Sequence, residues 1–333
     1  AESGRRIVDM IWEDLTPSKI QTHAAFENAI AVAMAMGCST NAIIHLTAIA
    51  GRLGHTIDLR HMNELSETTP VLVDLKPTGV GYMEDLHAAG GIPAVLRELK
   101  HLLHLDCETI TGETIGERIE KAHPWVDREI IRPFADPVRE TGGLVALFGN
   151  LAPRGAIMKR AAADPALFET EGRAIVFSSL ADLASRIDSP DLDVTPNDCL
   201  ILQNAGPTSE SAMPEAGYIP IPSKLAQAGI KDMVRISDAR MSGTAYGTII
   251  LHVAPDAASG GNLALVKNGD RIKISVANRS IDVLVSEDEL SKRRLELIIP
   301  VKSKSRGYQY LYDTHIMQAD DGCDFDFLVP NKS

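Results

Sequence analysis

The chain has 333 residues, 44% apolar and 23% charged, an ordinary globular composition with length enough for two domains and a large buried core. Its 45 acidic against 33 basic residues give a net charge of −12, which argues against nucleic acid, whose phosphates reward clustered Lys and Arg. No apolar stretch reaches the roughly 20 residues of a membrane-spanning helix, and the cysteines at 38, 107, 199 and 323 are too far apart for a Cys-x-x-Cys metal site and too few for a disulfide framework. A reduced, cytoplasmic protein is the simplest reading.

The opening "AESGRRIVDM" starts abruptly, with no secretory signal. A helix is predicted from Pro17 to Met36, with Thr16 as cap, Pro17 in the first turn and Gly37 closing it; a second runs from Asn41 to Leu53 and ends at Gly54. "PVLVDL" at 70–75 reads as a buried strand entering a loop, and "GGIPAVLRELKHLL" and "TGETIGERIEKA" as further helices. Alternation of this kind predicts an α/β layer to about residue 140. The proline-rich stretch 124–143 marks a boundary between domains 1–140 and 141–333. Beyond it come short β-rich runs ("LVALFG", "RAIVFSS", "DCLILQ", "DMVRIS", "TIILHV", "RIKISV", "IDVLVS"), with helices chiefly at 179–187, 287–294 and 306–319. They predict a β-barrel or sandwich-like domain with peripheral helices.

Four stretches could carry chemistry, and each also has a plain structural reading. In "GCSTNAIIH", Cys38, Ser39, Thr40 and Asn41 stand at a helix start, where free N–H groups favour a carboxylate or phosphate, or where the hydroxyls simply cap the helix. "DLKPTGVGYMEDLHAAGG" has Gly-x-Gly at 79–81, but Glu84 occupies the third glycine's place, so a dinucleotide fingerprint fails; His87 is a ligand or a packed histidine. Glu215, between Met-Pro and Ala-Gly, is a reactive or a merely solvated loop carboxylate. "SDARMSGTAYG" holds Asp238, Arg240, Ser242 and Thr244 beside Gly243 and Gly247; Ser242 serves as a base only if neighbours stabilise its alkoxide, and otherwise the segment is a plain loop.

Wording and order say more than any stretch alone. "GCSTNAIIHLTAIAG", "DLKPTGVGYMEDLHAAGGIPAV", "GGLVALFGNLAPRGAIMK", "NAGPTSESAMPEAG", "DARMSGTAYGT", "HVAPDAASGG" and "NRSIDVLVSEDEL" together resemble the dihydroxy-acid dehydratase and 6-phosphogluconate dehydratase family over nearly the whole chain. The ending "RGYQYLYDTHIMQADDGCDFDFL" resembles its sugar-acid branch; the dihydroxy-acid branch usually has Gly-Arg-Phe-Ser-Gly where this chain has "ARMSG". The resemblance implies the rear part of a parallel-sheet α/β domain followed by a β-barrel-like domain. It implies a hydro-lyase that converts an aldonate, such as arabinonate or xylonate, to its 2-keto-3-deoxy acid, working as a homodimer or homotetramer.

An α-proton beside a carboxylate is weakly acidic, so the enolate needs a divalent cation and the departing hydroxyl a Lewis acid. The resemblance implies Mg²⁺ for the first and a [2Fe–2S] cluster for the second. By the same resemblance Ser242 matches the base and Glu215 a magnesium ligand, with Ser39, Thr40, His87 and Thr244 toward the substrate. Family members are longer, so the resemblance implies the C-terminal portion only, with the cluster cysteines and the remaining magnesium ligands outside these residues. Two alternatives stay open: a dihydroxy-acid dehydratase of branched-chain amino-acid synthesis, and an inactive module for folding or dimerisation.

Overall fold

A computed structural model describes residues 1–215, 218–242, 245–299 and 305–330. The chain divides into two compact units, Ala1–Cys38 with Ile49–Gly143, and Ser39–Ala48 with Leu144–Val329. The architecture is mixed α/β, with a barrel-like sheet and peripheral helices.

The first unit is helical. The helix predicted over 17–36 is two helices, Pro17–Ile20 and His23–Ala35, because Thr22 is extended and its hydroxyl accepts from the Ala25 N–H, a true N-cap that Thr16 does not provide. Gly37, at φ +58°, closes the second helix as expected. Val71, Leu72, Val73 and Leu75 are buried, but residues 71–75 form single bridges (Val71 with Arg139, Val73 with Ile131, Leu75 with Gly81) and no strand. Their polar backbone is still satisfied: Leu72 N–H donates to the Ala35 carbonyl at 2.8 Å and Asp74 N–H to Ile130 at 2.9 Å. Helix Ile115–Lys121 carries a full capping box between Thr114 and Glu117.

The second unit is built on one eight-stranded sheet: β1 (Val145–Leu147), β2 (Gly155–Met158), β3 (Glu169–Phe177), β4 (Cys199–Leu202), β5 (Arg235–Ser237), β6 (Ile249–Ala254), β7 (Arg271–Ser275) and β8 (Ser280–Val283). The order is β1-β2-β6-β5-β4-β3-β7-β8, parallel from β3 through β4 and β5 to β6 and antiparallel elsewhere. Its two edges meet just past β1. Phe148 bridges Ser280, with Phe148 N–H donating to Arg279 O and Ile281 N–H to Phe148 O, both at 2.9 Å. Asn150 extends the closure by acting as a surrogate strand: its Oδ1 accepts from Val283 N–H at 2.8 Å and its Nδ2 donates to Val283 O at 2.9 Å. Closure removes the exposed edges that an open sheet would present.

Period-two alternation then sorts the side chains. One apolar cluster takes residues from all eight strands, among them Val145, Met158, Val176, Ile201, Ile236, Ile250, Ile274 and Ile281, and fills the interior. A second takes the alternate positions of the parallel segment, including Ile175, Leu200, Leu202, Ile249 and Leu251, and is covered from outside by helix Leu180–Arg186 and by Ile219, Ala239 and Met241. The alternation slips once in β6, where the β2 register shifts and His252 adopts φ +59°, a bulge that turns Val253 inward beside Ile250.

Candidate active site

Because β4, β5 and β6 are parallel, the loops that follow them leave the same end of the sheet. Glu215 lies on the loop after β4, Ser242 on the loop after β5, and Asp256 just after β6. Loops beyond the carboxyl ends of parallel strands are where α/β sheets tend to bind ligands.

The loop that carries Glu215 is held at many points. Asp256, fully buried, accepts from Thr208 N–H at 2.7 Å and from its hydroxyl. Asp238, also fully buried, accepts from Ala205 N–H at 3.0 Å with one oxygen and from Ala257 N–H at 2.9 Å with the other. Burial, with Asp256 nearby, pushes the Asp238 carboxyl up to about 7 against the pull of those two amides. Arg240 donates to Met213 O at 3.0 Å, and the Tyr312 hydroxyl to Pro207 O at 3.0 Å. Asn204, Ala212 and Met213 all have positive φ, conformations that non-glycine residues keep only where the surroundings enforce them. A Cβ on Gly206 would lie 2.5 Å from that of Asp256, so glycine is what lets the loop approach this carboxylate. Glu215 itself is exposed, as is Glu210 on the same loop.

The segment Ser39–Ala48 belongs to this second unit. Ile44 packs on Met213, and Ala48 lies so close to Gly322 that a Cβ there would come within 2.5 Å of its nitrogen. The helix begins at Asn41, whose N–H is taken by Ser39 Oγ at 3.2 Å, while Ala42 and Ile43 N–H groups donate to the carbonyls of Ser39 and Thr40. Its first amides are thus already occupied. The Asn41 side-chain amide donates to Glu215 Oε1 at 3.0 Å and to the Met241 carbonyl at 3.1 Å, which brings Glu215 and the residue preceding Ser242 onto one side chain.

Beside this contact, Ser39, Thr40, Lys159, Met241, Ser242 and Ala245 line a hollow of about 20 Å³ against Ile249 and Leu251, on the outer face of the sheet. That is room for about one water molecule. Lys159 is only 9% exposed there, and sequence reasoning gave it no role: nothing about a lysine ending "RGAIMK" distinguishes it from a surface one. A roomier hollow of about 380 Å³ lies elsewhere, ringed by Arg173 and Arg186. Those arginines are engaged by Asp193, Asp198 and Asp182, so it offers no comparable chemistry.

Of the residues singled out from sequence, Ser39, Thr40, Glu215 and Ser242 therefore fall in one neighbourhood. His87 is exposed on helix Met83–Ala88 of the first unit, and Thr244 lies outside the described residues. The Gly-x-Gly at 79–81 packs on Asp74, with no space for a Cβ at Gly79. His252, in the bulge, is buried; its Nε2 has no hydrogen-bond partner among the described residues, and burial holds it neutral, pushed down to about 3.

Neither implied metal group finds its ligands among the described residues, where no three His, Cys, Asp or Glu side chains converge as a metal site. Cys199 sits in the barrel core and Cys323 lies 3.3 Å from the Met213 sulfur, both thiols pushed up to about 12 by burial, the reverse of what thiolate ligation needs. Cys38 and Cys107 belong to the first unit. Glu215 is a hard oxygen donor suited to magnesium, but it is one carboxylate and not a set.

Comparison with known proteins adds what geometry cannot. The chain is 47% identical over 340 residues to an L-arabonate dehydratase of Azospirillum brasilense, covering 99% of this chain and 58% of the relative. It is 46% identical over 336 residues to a 6-deoxy-6-sulfo-D-gluconate dehydratase of Pseudomonas putida (100% and 58%). To a dihydroxy-acid dehydratase of Acetivibrio thermocellus it is 41% identical over 334 residues (99% and 59%). The chain thus spans somewhat over half the length of these curated relatives. Two family models match, the dihydroxy-acid/6-phosphogluconate dehydratase N-terminal model over residues 1–118 and the C-terminal model over 129–323. The expected restriction to the C-terminal portion is corrected by the first of these: the match includes the family's N-terminal model. With both models matched in order along the sequence, the chain belongs to the dihydroxy-acid/6-phosphogluconate dehydratase family.

Proposed function

We propose that this chain serves a sugar-acid hydro-lyase, which removes water from an aldonate to leave a 2-keto-3-deoxy acid, with Ser242 as the base and Glu215 as a carboxylate of the reacting centre. The observation that carries the reading is the Asn41 bridge, which draws the Glu215 carboxylate and the loop of Ser242 together beside a hydroxyl-lined hollow. Both side chains are exposed, so a substrate can reach them from outside that hollow. Magnesium and an iron–sulfur cluster, where bound, would supply charge neutralisation and Lewis acidity; their ligands are not assembled among the described residues, so no step is assigned to them. The sugar-acid relatives, at 46–47% identity against 41% for the dihydroxy-acid relative, support an aldonate over a branched substrate.

The test is turnover by the full-length protein of L-arabinonate, D-xylonate and 2,3-dihydroxyisovalerate, read as 2-keto acid released. An aldonate should be preferred by at least about tenfold in kcat/KM, because a site that pairs substrate hydroxyls rejects a substrate lacking them. Preference for dihydroxyisovalerate, or turnover of none of the three, would overturn the reading.

A further inference from the structure

We propose that Asn41 is a positioning residue whose side-chain amide sets the separation of Glu215 and Ser242, an inference that rests on the assignment of those two residues to the reaction. Three segments far apart in the chain meet at this one side chain: Glu215 is 174 residues away and Met241 is 200. An amide nitrogen has two hydrogens, and here each is spent, one on the Glu215 carboxylate at 3.0 Å and one on the Met241 carbonyl at 3.1 Å. Both partners only accept, so the amide cannot flip without setting its oxygen against two oxygens.

The other end of the side chain sharpens the point. Asn41 is 9% exposed and its Oδ1 is buried with no hydrogen-bond partner among the described residues. A buried carbonyl left unpaired is costly, and a residue that served only to fill space or to start a helix would not need to carry one. Leucine or alanine would fill the space, and Ser39 already caps the helix through its hydroxyl. What neither alternative supplies is a two-handed donor. The base of Asn41 is in turn fixed: Ile44, one turn on, packs against Met213, two residues before Glu215, and Met241 is 1% exposed in the outer apolar cluster. Asn41 therefore joins two anchored loops at the points where they present a carboxylate and a hydroxyl.

Hydrogen exchange followed by mass spectrometry, on the full-length protein, tests this without relying on turnover. In Asn41→Ala, peptides spanning 206–215 and 238–242 should exchange about tenfold faster, while those from β4 and β7 keep their protection, as local loosening requires. A reciprocal pair makes the test specific. In the double variant Asn41→Asp with Glu215→Gln, the carboxylate and the amide trade places, so the contact to residue 215 re-forms with its donor reversed. The Met241 carbonyl, however, still faces an acceptor. Protection should return to 206–215 and not to 238–242. Where the parent turns over an aldonate, Asn41→Ala should lower kcat by about a hundredfold, as misplacement of a reacting group does, with KM held within about threefold. Unchanged exchange in both segments, loosening spread over the whole barrel, or a double variant no different from Asn41→Asp alone would each overturn the proposal. A parent that turns over no aldonate would count against the hydro-lyase reading, and the exchange pattern would still decide the role of Asn41.

Discussion

The two units bury uncharged polar side chains alike, Asn28 and Asn63 in the first and Gln203 and Ser237 in the second, but place the charged groups below differently. In the second, charges are taken inside: Arg235 is 1% exposed, pairs with Asp232 at 3.0 Å and donates to the Tyr246 carbonyl at 2.8 Å, and Asp238 and Asp256 are fully buried beneath the loop of Glu215. In the first, a carboxylate gathers three exposed histidines. Glu27 receives His61 at 2.7 Å, His104 at 2.6 Å and His23 at 3.6 Å, with all three rings between 42% and 61% exposed. A buried polar group that loses its partner keeps its desolvation cost, whereas an exposed one recovers it from water. The second unit thereby gains loops with one defined geometry, which is what a reacting centre needs, and the first remains tolerant.

The contrast can be broken most forcefully at Arg235. Replacing it with alanine removes the ion-pair partner of Asp232, which keeps its hydrogen bonds from Met233 and Thr248, and should cost about 3–5 kcal/mol in urea unfolding. Lys100→Ala, at an ion pair on the first unit's surface, should stay within about 0.5 kcal/mol; equal losses from the two would erase the distinction. Next comes a device used in both units, an asparagine that pairs with both backbone groups of a distant residue. Asn150 does this to Val283, and Asn28 does it to His104, donating at 2.9 Å and accepting at 2.8 Å. Asn150→Ala should cost about 1–3 kcal/mol and expose β1 and β8 to exchange, whereas Asn28→Ala should leave the sheet protected. Protection of β1 and β8 unaltered by Asn150→Ala would mean that the barrel closes without it.

Smaller effects sharpen the picture further. Thr114→Ala removes one half of the capping box and should cost about 1 kcal/mol, and Thr114→Asp should recover most of it; a null result would show that the first unit does not depend on that helix end. The subtlest contrast is between two histidines. Hydrogen bonds to Glu64 and Glu27 raise His61 above its ordinary 6.5, whereas burial pushes His252 down to about 3. The His61 contribution to stability is thus complete below pH 6.5 and lost as pH rises through its raised value. That of His252 is complete above 6.5 and lost as pH falls toward 3. In an NMR titration the His61 ring should shift with a midpoint above 6.5, and the His252 ring should stay constant down to about pH 4. A His252 midpoint near neutrality would contradict its burial.

These differences also separate what the sequence announced from what it hid. Seven of the eight strands were predicted, because β-branched runs bounded by turn residues are a local signal. β2 was missed because "GAIM" is short and its glycine and methionine carry no strand bias. The break between Ile20 and His23 was missed because Thr22 competes with an equally good cap at Thr16. At the site, Ser242 and Glu215 stood out by glycine and proline punctuation. Asn41 as a bridge, Lys159 as a buried lining residue and the buried carboxylates Asp238 and Asp256 did not, since each owes its place to partners far along the chain. Local pattern found the elements; only tertiary pairing reveals which polar residues are held.

The role proposed for Ser242 is that of a working base, presented by the loop that follows β5. It is tested most directly by the rate of aldonate dehydration in full-length Ser242→Ala against the parent, with circular dichroism and the melting temperature confirming an intact fold. Loss of a general base should lower kcat by about 10²- to 10⁴-fold. Activity within a few-fold of the parent would contradict the account.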